Sequence, residues 1–312
     1  MDRRRGNPAV ILPQIDEHLV EDQKGRTGGN HDKDHSTDEN YRTIATRHPT
    51  LRTMGGELGI EDLDELFWCC LAAFGFFHVF QLRPMFGATL KERAYLAPFL
   101  AFLLALALGG VVAHFGEGRA FWVFSESRYW VYPFQTALCG GLLVWGWRWY
   151  EFKFPKRIVF TAAIGVLALL LWIAPQEWFG ASRRMDGFDP GFFGATGWPY
   201  ALNLTLRLVR LVIVVPLLEE IFWRGFLLRY LIDEDFARVP IGTFSWLSFA
   251  VVTAGFTFEH AAADWPSAAL TGALYNLVAY RTRSLSACVL THAVTNLLLG
   301  GYILRTGQWG FW

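Results

Sequence analysis

The sequence predicts an all-α fold: a polytopic transmembrane helical bundle of seven or eight hydrophobic segments. Three observations predict it. Hydrophobic residues make up 53% of the 312 positions and charged residues only 18%, whereas an ordinary soluble domain carries about 25% charged residues. The apolar residues are gathered into blocks, several of them near the ~20 residues that carry a helix across a bilayer. No block alternates with period two and no short repeat is visible, which favours helices over barrel strands. The 14 Trp and 27 Phe fit the same reading, since large aromatic residues mark headgroup levels.

The order of elements follows from the blocks. Residues 1–62 are polar, without a periodic apolar face, and "GRTGGNHDKDHSTDEN" has the composition of a disordered tail. The apolar run after Arg3–Arg5 is too short for a signal peptide. Segment 66–80 is about 15 residues long and either spans with help from its flanks or lies at the interface. Clear candidates follow at 95–115, 130–149 and 158–175, then a polar, Gly- and aromatic-rich loop at 176–200. A long apolar run from 201 to 232 holds Arg207, Arg210, Glu219, Glu220, Arg224 and Arg229. Further apolar segments occupy 241–258, 265–280 and 285–304. The expected organisation is a tail (1–62), N-terminal membrane helices and loops (63–200), a functional membrane region (201–304) and a short C-terminal tail (305–312).

Lys and Arg in loops 82–94, 148–157 and 281–284 put those three on one side, assigned as cytoplasmic, with loops 116–129 and 176–200 outside. Strict alternation then leaves Glu219 and His260 at different depths at ~1.5 Å per residue. Either the 233–245 region re-enters the membrane, or a span boundary differs from this division. A net charge of zero offers no field for nucleic acid. The four cysteines (Cys69, Cys70, Cys139, Cys288) form neither a zinc pattern nor a disulfide framework.

Glu219 and Glu220 are the two acids inside the apolar segments. A charge at bilayer centre costs roughly 2.5–3.5 kcal/mol on insertion scales, so intramembrane acids mark function. The two project about 100° apart on a helix. Glu220 has Arg224 at i+4, about 6 Å along the axis, which makes an ion pair natural. Glu219 has only Trp223 on its own face, which makes it the candidate base. Pro216 loosens the helix one turn before the pair. His260 lies four residues after Phe256, and His292 and Asn296 share one helix face. A carboxylate with two histidines suits metal-free hydrolysis, with Glu as base and His and Asn aimed at an oxyanion. It equally suits a hydrolytic zinc site of the His₂Glu kind.

Taken in order, "EEIFWR" (Glu219, Glu220, Arg224), "FTFEH" (Phe256, His260) and "HAVTN" (His292, Asn296) resemble the three motifs of the CAAX protease and bacteriocin-processing family of intramembrane proteases. The resemblance covers 201–304. It implies peptide-bond hydrolysis at the membrane, with Glu219 activating water, His260 orienting or activating it, and His292 and Asn296 stabilising the oxyanion. Glu220, Arg224 and Phe256 would support that group. The family has been read both ways on metal. The metal-free reading is preferred; zinc or another divalent metal would take Glu219, His260 and His292. The expected partners are membrane lipid and a peptide or membrane-protein substrate, with no nucleic acid, and the expected location is a bacterial inner membrane. The overall layout is similar to a bacterial subgroup linked to exosortase sorting systems. The alternative in a different class is a non-catalytic membrane scaffold or immunity protein that binds a peptide in the same cavity.

Overall fold

The structure, a computed structural model, describes residues 89–116, 121–155 and 157–312. The expectations for the tail 1–62 and for segment 66–80 lie outside these residues, as do Cys69 and Cys70. The described residues all fall in one unit, Leu58–Trp312, and contain helices and no strand.

Seven principal helices correspond in order to seven of the apolar blocks. The first, α1 (Leu90–Gly116), opens on a capping box. The Glu92 backbone N–H donates to the Thr89 hydroxyl at 3.2 Å, and the Thr89 N–H donates to the Glu92 carboxylate. After a single helical turn at Trp122–Ser125 come α2 (Arg128–Gly146) and α3 (Ile158–Trp178). Then follow α4 (Gly197–Tyr230), α5 (Trp246–Phe258), α6 (Trp265–Thr282) and α7 (Leu285–Thr306). Among the described residues α1, α3, α4 and α7 are long and apolar enough to cross a membrane, and α5 is a shorter apolar helix.

The difference in depth expected between Glu219 and His260 meets a shifted boundary here. Helix α5 begins at Trp246, five residues later than the apolar run, so it has only 13 residues. Residues 231–245 instead form a folded connection. Phe236, Val239 and Ile241 are buried in it, and the Phe236 ring packs 5.0 Å from Tyr95 and 5.1 Å from Phe226. Gly242 has φ +76°, and a Cβ there would stand 2.2 Å from the Ala279 carbonyl oxygen. This turn therefore lies flat on α6 only as glycine.

Helix α4 runs through the middle of the bundle. It contacts α1, α2, α5 and α7, while α3 packs on α6 and α7, and α5 on α6. It is also irregular, with π-helical stretches at Arg210–Val214 and Ile221–Leu227 on either side of the α-helical turn Val215–Glu220. Pro216, which has no N–H to give, lies two residues after the end of the first stretch. π-Bulges of this sort are often found at functional sites. Opposite α4, helices α3 and α7 touch through small residues. A Cβ on Gly165 would be 2.8 Å from the Thr291 carbonyl oxygen. The hydroxyls of Thr291 and Thr295 donate to the carbonyls of Thr161 (3.3 Å) and Gly165 (3.0 Å). Close small-residue contacts with interhelical hydrogen bonds replace the hydrophobic drive that lipid removes. They lock the rotation of α7, so that His292 and Asn296 face α4.

Candidate active site

The Glu219–Glu220 turn places two neighbouring carboxylates in unlike surroundings. Glu220 is fully buried. Its Oε1 accepts from Arg224 Nη1 at 3.0 Å and faces His292 Nδ1 at 3.1 Å. Arg224, also fully buried, spends its remaining donors on α6: Nε donates to Asn276 Oδ1 and Nη2 to the Gly272 carbonyl, both at 3.0 Å. Asn276 passes the network to α5 by donating from Nδ2 to Thr253 Oγ1 at 3.1 Å. The guanidinium also lies 5.0 Å from the Phe256 ring centre and 5.4 Å from that of Tyr275. Glu220 and Arg224 thus tie four helices (α4, α5, α6 and α7) into one charged, hydrogen-bonded unit.

Glu219 lies outside that unit. It is buried, and its Oε2 has no hydrogen-bond partner among the described residues. The Oε2 of Glu220 is likewise without a partner, so what sets Glu219 apart is that it forms no ion pair among the described residues; a buried carboxylate without one is a candidate for binding a ligand or taking part in a reaction.

His260 follows the end of α5. Its Nδ1 is 2.7 Å from the Phe256 carbonyl oxygen, and its ring lies 4.9 Å from Phe256 and 5.1 Å from Trp172. A carbonyl can only accept, so Nδ1 carries the proton and the neutral ring offers Nε2 as an acceptor. Phe256 is therefore more than packing. It holds His260 through its carbonyl and Arg224 through its ring, and it stands 6.4 Å from the His292 ring. The His292 ring lies 5.0 Å from Tyr275, tilted by 40°. With Nδ1 directed at the Glu220 carboxylate, His292 can donate from Nε2 only as imidazolium. Asn296 donates from Nδ2 to the Leu211 carbonyl at 2.9 Å. That carbonyl lies in the first π stretch, where the regular ladder is broken, and one amide hydrogen of Asn296 stays available.

The structure brings Glu220, Arg224, Phe256 and His292 into direct contact. Glu219, His260 and Asn296 lie outside that set of contacts, with His260 and Asn296 held by the Phe256 and Leu211 carbonyls. Sequence reasoning passed over Tyr275 and Asn276, although an Asn in an apolar run is itself an intramembrane polar signal. It also left Glu259, inside "FTFEH", without a role. The Glu259 Oε2 accepts from the Trp223 indole N–H at 3.0 Å, and its Oε1 is buried without a partner among the described residues. Trp223 shares the face of Glu219, so a third carboxylate stands on the side where one was expected to be alone. A Cβ on Gly255 would meet the Trp223 ring at 2.8 Å, so glycine there is what admits the indole.

Both histidines are held through Nδ1 by an acceptor, the way zinc-binding histidines are oriented. Among the described residues, however, no three His, Cys, Asp or Glu side chains are grouped so as to hold a metal ion.

Residues 201–298 match the family model described as Rce1-like, type II CAAX prenyl endopeptidase Rce1-like. No curated protein and no solved structure matches the chain. The matched stretch begins in α4 and ends in α7, and it contains every residue of the Glu220–Arg224 network. The chain is a multi-pass membrane protein whose residues 201–298 are similar to the CAAX prenyl endopeptidase family.

Proposed function

We propose that the chain hydrolyses a peptide bond with a water activated by Glu219. The single observation that carries this reading is the contrast between the two carboxylates. Glu220 is ion-paired through Oε1 to Arg224 and His292, whereas Glu219 forms no ion pair among the described residues; the Oε2 of each is buried without a hydrogen-bond partner. In the proposed reaction the Glu219 carboxylate takes a proton from water while His260 Nε2 orients it, and the oxygen adds to the scissile carbonyl carbon. The carbonyl oxygen becomes an oxyanion, stabilised by the free amide hydrogen of Asn296 and by imidazolium His292, whose charge Glu220 compensates. Glu219 then gives its proton to the amide nitrogen as the C–N bond breaks, leaving a carboxylic acid and an amine. Arg224, Phe256 and Asn276 keep Glu220 and the histidines in register. The proposed substrate is a peptide or a membrane protein, met within the lipid of a bacterial inner membrane.

The decisive variant is Glu219→Gln, which keeps size and polarity and removes the base. Cleavage is expected to fall by on the order of 10²–10⁴, with insertion and thermal stability retained; full activity in that variant would refute the assignment. If the variant loses cleavage but keeps the cellular phenotype, the chain is a peptide-binding scaffold. A zinc-dependent version of the same chemistry is favoured by the Nδ1-held histidines. The metal-free reading predicts that activity survives exhaustive chelation. Loss of activity that returns with one equivalent of zinc would replace it with the metalloprotease reading.

A further inference from the structure

Helix α4 carries two buried arginines that the proposed chemistry does not use. Arg207 and Arg210 lie one turn apart, 2% and 8% exposed. The other two buried arginines among the described residues each hold a carboxylate: Arg224 pairs with Glu220 and Arg229 with Glu151. Neither Arg207 nor Arg210 forms an ion pair among the described residues, and Arg207 Nε and Nη1 have no hydrogen-bond partner. Aromatic rings and one amide are their nearest neighbours; Glu219 acts on Arg210, and Arg128 on Arg207, only from beyond ion-pair distance. The Arg207 guanidinium faces the rings of Tyr132 (4.4 Å), Phe188 (5.3 Å) and Trp312 (5.5 Å). Arg210 faces Tyr132 (4.5 Å) and Phe102 (5.3 Å) and donates from Nε to Gln135 Oε1 at 2.8 Å. Aromatic faces and one amide do not neutralise two adjacent positive charges in an apolar bundle, and buried charges are otherwise paired. A small cavity of about 10 Å³, measured as the space open to the centre of a water molecule, adjoins Arg207 between Tyr132, Pro133, Phe188, Asn203 and Leu206.

We propose that Arg207 and Arg210 form a carboxylate-binding subsite, whose occupant is an acidic group of the peptide substrate. The planar guanidinium fork matches a carboxylate; the cavity beside Arg207 is the size of about one water molecule, so its aromatic walls must part for that small planar group to enter, and would have to part further for a phosphodiester headgroup. The subsite is continuous with the candidate active site. Leu211, adjacent to Arg210, supplies the carbonyl that holds Asn296. Nine residues separate Arg210 from Glu219, and twelve separate Arg207 from it. At ~1.5 Å per residue that is roughly 13–18 Å along α4, the reach of about four or five residues of extended peptide. A carboxylate that far from the scissile bond, on a side chain or at the chain end, would sit between the two arginines while the bond lies at Glu219. The substrate part of this inference rests on the proteolytic reading above.

The test uses the full chain in micelles. Peptides that it cleaves are varied by placing Glu or Gln at each position three to six residues to either side of the bond, and by giving the C-terminus as carboxylate or amide. A preference in kcat/KM for the acid, on the order of tenfold or more at one position, is expected in the parent chain. Arg207→Gln and Arg210→Gln should bring that acid-to-amide ratio to about one, chiefly through KM, and Arg207→Lys should restore part of it. A ratio near one in the parent chain, or one that survives both Gln variants, overturns the subsite and leaves proteolysis standing. A second arm needs no cleavage: acetate, compared with acetamide at matched ionic strength, should raise the thermal midpoint of the parent chain and not of Arg207→Gln. An arginine-dependent acetate shift in a chain that cleaves no peptide overturns the proteolytic reading while the subsite stands. Arginine-dependent stabilisation by phosphatidylglycerol in nanodiscs, with none by acetate, assigns the site to lipid phosphate and overturns the proposal.

Discussion

Removing Arg224 should destabilise the protein far more than removing an ordinary surface arginine. In Arg224→Met the side-chain volume is roughly kept. Three hydrogen bonds disappear, to Glu220, Asn276 and the Gly272 carbonyl, and Glu220 stays fully buried with His292 as its one remaining polar contact. Breaking a buried pair by deleting one partner typically costs about 3–5 kcal/mol, most of it the stranded charge. The loss should appear as a lowered midpoint in thermal unfolding followed by tryptophan fluorescence in micelles. The double variant Glu220→Leu/Arg224→Met removes the stranded charge as well. It should be more stable than the sum of the two single losses predicts, with a coupling of at least ~1 kcal/mol. Stability of Arg224→Met within ~1 kcal/mol of the parent, or strict additivity in the double variant, would show that the pair does not hold the four helices together.

Two further expectations concern close contacts. Gly255→Ala puts a methyl 2.8 Å from the Trp223 ring, so the indole must move and its hydrogen bond to Glu259 must break. A stability loss of about 1–3 kcal/mol is expected, together with reduced cleavage, and unchanged cleavage would remove Trp223 and Glu259 from the site. Gly165→Val drives a side chain against the Thr291 carbonyl and the Val294 side chain. It should separate α3 from α7 and cost both stability and cleavage by displacing His292 and Asn296, while a fully active, stable variant would refute the tight α3–α7 contact.

Much of the architecture follows from local sequence. A block of about 20 apolar residues needs no partner to declare itself a helix, because the bilayer forces every backbone group to bond within its own segment. All seven principal helices therefore fall on apolar blocks. The start of α5 does not, since Ile241, Phe244 and their neighbours are apolar for a different reason: they cover the end of the bundle from a folded connection. The Glu220–Arg224 contact was equally legible, being set by helical spacing alone.

What spacing could not supply is which groups meet across helices. His292 bonds to Glu220, and Asn296 bonds to a carbonyl in the first π-helical stretch. Glu259 joins the Glu219 side through Trp223, 36 residues away in the chain. These contacts depend on how α4, α5 and α7 are rotated about their axes. That rotation is decided by bulk at the contacts (Gly165 against Thr291, Gly255 against Trp223), a property of two surfaces together and not of either segment. The sequence by itself determined that charged groups sit inside apolar helices and which of them share a face. Only the tertiary structure decided that Glu220 is ion-paired on both sides, that Glu219 forms no ion pair among the described residues, and that Arg207 and Arg210 face aromatic rings with no acid within ion-pair distance.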